Sequence, residues 1–359
     1  MAQRIKKIYI DLTSLYNRKI TGLEIYGIDL YRCLLKKDVN VIPIFRNKNT
    51  IDNNKKAIIL PYNNRIVVEQ LVLPKFISKL DDSIVLYPVF PPGYLTYFLK
   101  RGNVKIIPTI HDSVAWNYQD TLSIKAKLYL KPLYNLALKK ADTIITISEI
   151  VKNELSLMTN KKVVNLSNCI SDIFDDVDNI NTDILNKLNL KKDNYIISVS
   201  TIEPRKNLIY LLEVYEALLK KGFNYKLVLV GRKGWGNDKK LKSFINKMKE
   251  QVIFTDFVSN EDLITLYKNA KAFFLFSKYE GFGRPPLEAL ACGTSVVVSD
   301  IPVFREILGN NVLYIPLDNV DLAVRKILNY RFTKKIKNHH NFQNWCKRLY
   351  IRKVFDDLV

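Results

Sequence analysis

Cysteine is scarce in this 359-residue chain, and the four present, Cys33, Cys169, Cys292 and Cys346, lie far apart with no CxxC spacing. That excludes a disulfide framework and a structural zinc cluster, leaving reduced, buried thiols as the default. Long hydrophobic runs are missing as well: no segment approaches the ~18 consecutive apolar residues of a membrane-spanning helix. The opening MAQRIKKIYIDLTSLYN is basic but runs at once into a strand-like stretch with Asp11 inside it, which a secretory signal would not tolerate. A cytoplasmic protein is the expectation. Acidic residues are in short supply, 35 Asp+Glu against 56 Lys+Arg, for a formal charge of +21. An excess of that size implies an anionic partner, whether nucleic acid, an acidic membrane leaflet or a phosphorylated ligand, and does not choose among them.

What is present is the length and rhythm of two α/β domains. The first half alternates helical patterns with β-branched runs: Lys7–Leu12, Val41–Phe45, Ser83–Tyr87, Lys105–Ile110, Thr143–Ser148 and Val163–Ser167. Runs apolar on both faces read as buried strands of a parallel sheet. After an acidic, Asn-rich interval the alternation restarts with Tyr195–Ser200, Lys226–Gly231, Val252–Phe257, Ala272–Ser277 and Ser295–Asp300. Amphipathic helices are expected at Asn207–Lys221, Asn260–Ala270 and Pro286–Cys292, each opened by a cap or an early proline. The organisation is therefore a Rossmann-like domain over residues 1–170, a linker over 171–194, a second Rossmann-like domain over 195–335, and a terminal helix over 336–359 that packs back on the first domain. Two such facing domains offer a deep cleft, since open parallel sheets bind ligands beyond the carboxyl ends of their strands.

Two segments carry chemistry. In STIEPRKN, Ser200–Asn207, a strand runs into a helix start where the dipole favours anions; Pro204 stiffens the turn, Asn207 can cap, and Arg205 and Lys206 offer a forked donor and a mobile point charge to a diphosphate. The same residues also read as a solvated basic turn. In SKYEGFGRPPLEALACGTSVVVSD, Ser277–Asp300, a strand delivers Glu280 into the loop Gly281-Phe282-Gly283, and Glu288 falls in the first turn of the next helix. A carboxylate accepts hydrogen bonds from vicinal hydroxyls such as a sugar or a ribose presents. Against this, Glu288 also fits a dipole-complementing acid and Glu280 a solvated loop charge. His111, in THDS after a strand end, stands apart from the paired His339 and His340 of the polar tail; it reads either as a functional-loop residue or as a satisfied strand-end histidine. No DxD-like pair sits at an expected strand end to call for a metal, and GRKGWGND, Gly231–Asp238, lacks the GK[ST] ending of a phosphate loop and reads as a rim near the nucleotide.

Taken together, the EPRKN turn and the E-x7-E pattern from Glu280 to Glu288 resemble the retaining GT-B glycosyltransferases of the family 4 type. The similarity extends through Ala291–Asn310 and back to Thr21–Leu30 and Thr109–Trp116, and is greatest to bacterial mannosyl- and rhamnosyltransferases of O-antigen or capsule synthesis. The resemblance implies that Gly22 lets backbone approach the donor phosphates, Arg205 and Lys206 hold the diphosphate, Glu288 binds the ribose, and Glu280 with the Gly281, Phe282 and Gly283 loop binds the transferred sugar. His111 would lie near sugar and acceptor, and Val258, after a strand end, would flank the base. It implies a metal-independent reaction with no cofactor, a nucleotide sugar as donor with GDP-mannose favoured, and a glycan or polyprenyl-diphosphate-linked acceptor met by loops such as Tyr87–Gly93.

The segment Ser123–Asp142 interleaves lysines with Leu and Tyr. It reads either as a basic helix lying on an anionic leaflet, which would bring a cytoplasmic enzyme to the inner face of the plasma membrane, or as a core-facing helix with a lysine-rich solvent side interrupted by Pro132. Two rival functions remain. A nucleic-acid-binding protein lacks any helix-turn-helix, RRM, KH or zinc-finger signature. A catalytically silent GT-B partner subunit would have no need of intact Arg205, Lys206, Glu280 and Glu288.

Overall fold

The computed structural model describes residues 7–16, 20–36, 40–46, 56–119, 124, 126–168, 170, 172–174, 183–231 and 239–333. The chain divides into two compact units, the first ending at Cys169 and the second starting at Ile170. The expected terminal helix, 336–359, and most of the Gly231–Asp238 rim lie outside the described residues.

In the first unit, β1 (Lys7–Asp11), β2 (Val41–Arg46), β3 (Ile58–Leu60), β4 (Ser83–Tyr87) and β5 (Val104–Pro108) form a parallel sheet in the order β3-β2-β1-β4-β5. The pair β6 (Thr143–Thr146) and β7 (Lys162–Asn165) continues it through a parallel bridge between Thr109 and Ile145. Tyr9, Ile44, Val85 and Ile106 on the strands meet Val68, Leu73 and Ala137 from the helices in one core. Such burial on both faces is what a parallel sheet requires, and it explains why these strands read as continuous apolar runs.

The second unit repeats the plan with β8 (Tyr195–Val199), β9 (Lys226–Val230), β10 (Val252–Asp256), β11 (Ala272–Leu275), β12 (Ser295–Ser299) and β13 (Leu313–Ile315), all parallel in the order β10-β9-β8-β11-β12-β13. In both units the first strand lies centrally and the order reverses beside it, the doubly wound pattern with a switch point between β1 and β4 in one and between β8 and β11 in the other. Ligands of such sheets bind beyond the carboxyl ends at that point, which directs attention to the loops leaving β8 and β11.

Several local expectations need correction. The interval 171–194 is more than a linker: Asp172–Phe174 and Asp183–Lys187 are helical, Phe174 is buried against Tyr267, and the Asp193 amide donates to the Asn269 carbonyl at 2.8 Å, so its described residues pack on the second unit. Pro132 does not interrupt its helix. It sits in the first turn of Lys131–Lys140, where the hydrogen-bond pattern changes from that of the helical turn Ala126–Leu130 leading in, and the helical run continues through it. Leu133, Ala137 and Leu138 are buried and Lys139 and Lys140 exposed, favouring the core-facing reading of that helix. Strands β3 and β13, three residues each, escaped the sequence reading.

Candidate active site

The turn after β8 and the loop after β11 flank the switch point of the second unit and are tied by a backbone hydrogen bond from the Lys278 amide to the Arg205 carbonyl, 2.8 Å. Pro204–Lys206 is a single 3-10 turn, and the helix Leu208–Lys220 follows it. Asn207 was expected to cap this helix with its side chain. It instead adopts a left-handed backbone, φ 55° and ψ 41°, and makes no side-chain cap; the chain reverses there, a conformation Asn tolerates better than most residues.

That turn aims Arg205 and Lys206 at the β11 loop. Lys206 Nζ donates to both carboxylate oxygens of Glu280, at 2.6 and 2.8 Å; Arg205 Nη1 donates to Glu280 Oε2 at 3.0 Å, and Arg205 Nε to Glu203 Oε2 at 2.9 Å. The Ser277 hydroxyl completes the cluster, donating to Glu280 Oε1 at 2.7 Å, while its carbonyl accepts the Ser299 hydroxyl at 2.6 Å. Glu280 is only 5% exposed, so it is no solvated loop charge. Burial alone would raise its pKa; the charges of Lys206 and Arg205, with the Ser277 hydrogen bond, outweigh that and hold it below the ordinary carboxylate range. Lys206 is pulled down from the usual lysine value by burial and by Arg205 beside it, against the pull of Glu280. The cluster couples two cations to two carboxylates, so an arriving anion meets preorganised cations that are already paired with Glu280 and Glu203.

Gly281, Phe282 and Gly283 follow at once. Gly283 has φ 95°, and a Cβ placed on it would lie 2.5 Å from Phe304 Cε1, so the turn into the next helix admits only glycine. That helix, Arg284–Ala291, begins earlier than expected because Arg284 takes its first position ahead of the two prolines. Glu288 therefore lies in the second turn, and its role is not to complement the helix dipole. It is buried, accepts a hydrogen bond from the Tyr267 hydroxyl at 3.3 Å, and pairs with Arg284 Nε at 3.5 Å. Val258 lies half-buried two residues beyond β10, beside the half-exposed Phe257.

Arg205, Lys206 and Glu280 are thus brought into direct contact, with Glu288 in the same unit. His111 and Gly22 belong to the first unit. His111 is buried, gives Nε2–H to the Pro88 carbonyl at 2.7 Å and packs edge-on against Tyr26; burial lowers its pKa, outweighing Pro88, Asp112 and Glu24, so the ring is neutral. The satisfied strand-end reading fits its geometry. Gly22 opens the helix Gly22–Lys36, and a Cβ there would meet no atom within 4 Å. Glu24 reaches back to the Thr21 amide at 3.0 Å, the reciprocal half of a capping box whose Thr-x-x-Glu signature was legible and overlooked. Glu203, Ser277, Arg284 and Tyr267 are the residues sequence reasoning missed. Glu203 and Arg284 adjoin the motifs, whereas Tyr267 comes from a separate helix, Asn260–Asn269, and gave no signal.

A doubly wound two-unit chain with a basic turn and an E-x7-E loop at one switch point defines a GT-B glycosyltransferase. Residues 181–343 match the family described as glycosyl transferases group 1. O-antigen chain mannosyltransferase B of Escherichia coli is 30% identical over 336 residues, 86% of each chain. O-antigen chain mannosyltransferase RfbU of Salmonella typhimurium is 28% identical over 276 residues, 72% of this chain and 75% of that one. The protein belongs to the group 1 glycosyltransferases. Its fold is shared with Anabaena Alr3699/HepE, solved in complex with UDP-glucose, at 15% identity and a TM-score of 0.69 over 98% of this chain and 97% of the other. Sucrose-phosphate synthase from Thermosynechococcus elongatus gives 18% identity and a TM-score of 0.67 over 97% and 94%.

Proposed function

We propose that this glycosyltransferase moves a hexose, mannose ahead of rhamnose or glucose, from a nucleoside-diphosphate sugar to a glycan or polyprenyl-diphosphate-linked acceptor during O-antigen or capsule synthesis. The observation that carries this reading is the Arg205–Lys206–Glu280 cluster at the switch point of the second unit. GDP-mannose is the favoured donor, supported by the names of the O-antigen mannosyltransferase relatives.

In this reading Arg205 and Lys206 bind the diphosphate and stabilise its charge as the glycosidic bond breaks, so no metal or cofactor is needed for that task. Glu280 and the Gly281–Gly283 amides hold the sugar, Glu288 the ribose hydroxyls, and Val258 borders the base. Gly22 and His111 contribute from the first unit; with Nε2–H engaged, His111 acts as a neutral ring whose Nδ1 accepts a hydrogen bond. Transfer proceeds with retention, the donor phosphate taking the acceptor's proton. Among the described residues no helix is long and apolar enough to cross a membrane. The charge of +21, with Ile124 and Leu128 each 75% exposed beside lysines, supports peripheral attachment to an anionic inner leaflet from the cytoplasm.

The test is a thermal-shift and hydrolysis screen against GDP, UDP, dTDP and ADP sugars, with Arg205→Ala and Glu288→Ala in parallel. Stabilisation by GDP-mannose, lost in both variants, is expected. Response to another nucleotide sugar alone reassigns the donor. No response from folded protein, with acceptor lipid present, replaces the enzyme reading with that of a silent partner subunit.

A further inference from the structure

We propose that Glu280, beyond binding the sugar, expels the spent nucleotide: its carboxylate competes with the free nucleoside diphosphate for Arg205 and Lys206, so the site holds the product more weakly than its two cations alone would. This rests on the donor-site reading above.

The two cations are already matched within the protein. Lys206 spends hydrogen bonds on both oxygens of Glu280, and Arg205 is shared between Glu280 and Glu203. Glu280 cannot swing aside as a surface glutamate would. It is buried, and Ser277 grips its Oε1 from the end of β11, itself fixed by the Ser299 hydroxyl from the end of β12. A diphosphate must therefore bind against a fixed negative charge.

While the terminal phosphate is esterified, the sugar places hydroxyl donors before Glu280 and offsets this repulsion. Transfer breaks the bond between sugar C1 and the phosphate oxygen, which keeps the electron pair; C1 joins the acceptor hydroxyl oxygen, whose proton passes to the phosphate or to solvent. The product carries an additional ionisable oxygen, and the sugar hydroxyls have left. Like charges then face each other in a poorly screened site, and Glu280 reclaims Lys206 as the nucleotide departs. Glu280 thus favours the nucleotide sugar over the nucleotide by difference, the usual origin of specificity.

The test titrates GDP and UDP by calorimetry into the full chain and its Glu280→Gln, Glu280→Asp, Arg205→Ala and Lys206→Ala variants. Glu280→Gln keeps an acceptor for Ser277 and loses the charge; it is expected to bind the free diphosphate about threefold to tenfold more tightly than wild type even while melting at a lower temperature. Glu280→Asp, which keeps the charge, is expected within about twofold of wild type. Unchanged or weaker binding by Glu280→Gln, alongside weaker binding by Arg205→Ala and Lys206→Ala, overturns the proposal and leaves the donor site standing. Indifference of Arg205→Ala and Lys206→Ala, or no binding by any form, overturns the donor-site reading and the proposal with it.

Discussion

The hydroxyl of Ser277 donates to Glu280 Oε1 across 2.7 Å, on a strand end held to its neighbour by Ser299. Ser277→Ala removes one of the influences that lower the Glu280 pKa. Glu280 is a group with a depressed folded pKa, so its contribution to stability is present above the ordinary carboxyl value and is lost as pH falls through the folded one. The variant narrows that window: melting on acidification begins at higher pH, and the acid limb of kcat/KM for the donor moves upward. Ser277→Thr, which keeps the hydroxyl, restores the wild-type profile. Parallel melting and kinetic titrations check both.

Lys206→Ala leaves Glu280 buried with a single cation and removes a charge proposed to stabilise the leaving diphosphate. The expected loss is about 10²-fold or more in kcat, in the range seen when one preorganised electrostatic contact is deleted. Steady-state kinetics on GDP-mannose measure it.

Tyr267→Phe deletes the hydroxyl that donates to Glu288 while leaving the ring in place and the Tyr267 carbonyl on the Thr294 hydroxyl. A stability loss of about 1 kcal/mol is expected. If Glu288 reads the ribose, donor KM rises severalfold with kcat nearly unchanged, because the contact is made equally in ground and transition states. A matching fall in kcat with constant KM contradicts that role.

His111 titrates in the same sense as Glu280, in a higher pH range. Its folded pKa is depressed below 6.5 by burial, so the unfolded chain binds more protons in that window and stability rises with pH through it. His111→Gln has no ring to charge and can still donate to Pro88; its melting temperature is expected to depend less on pH below about 6.5 than that of wild type.

Much of this was legible in the sequence because buried parallel strands leave no choice of composition: every strand that carries a site loop was found to within a residue or two. The failures have local causes. Asn207 carries the signature of a cap, but the turn it closes demands a left-handed residue, and Asn serves that need as well. The helix after Gly283 begins at Arg284, since proline favours a helix start without fixing which residue leads; that one choice moved Glu288 from first turn to second. The acids and bases were each assigned to a ligand, whereas in the structure they also bind one another. Tyr267 reaches Glu288 only through tertiary packing, which no spacing along the chain encodes.

The bond from the Lys278 amide to the Arg205 carbonyl bears on how such enzymes can be re-engineered. It clasps the two segments at the switch point, so they form a single cassette despite lying more than 70 residues apart in sequence. A chimera that imports only a foreign glycine loop inherits a mismatched partner turn, whereas exchange of 200–207 together with 277–288 carries over the clasp and its charges intact.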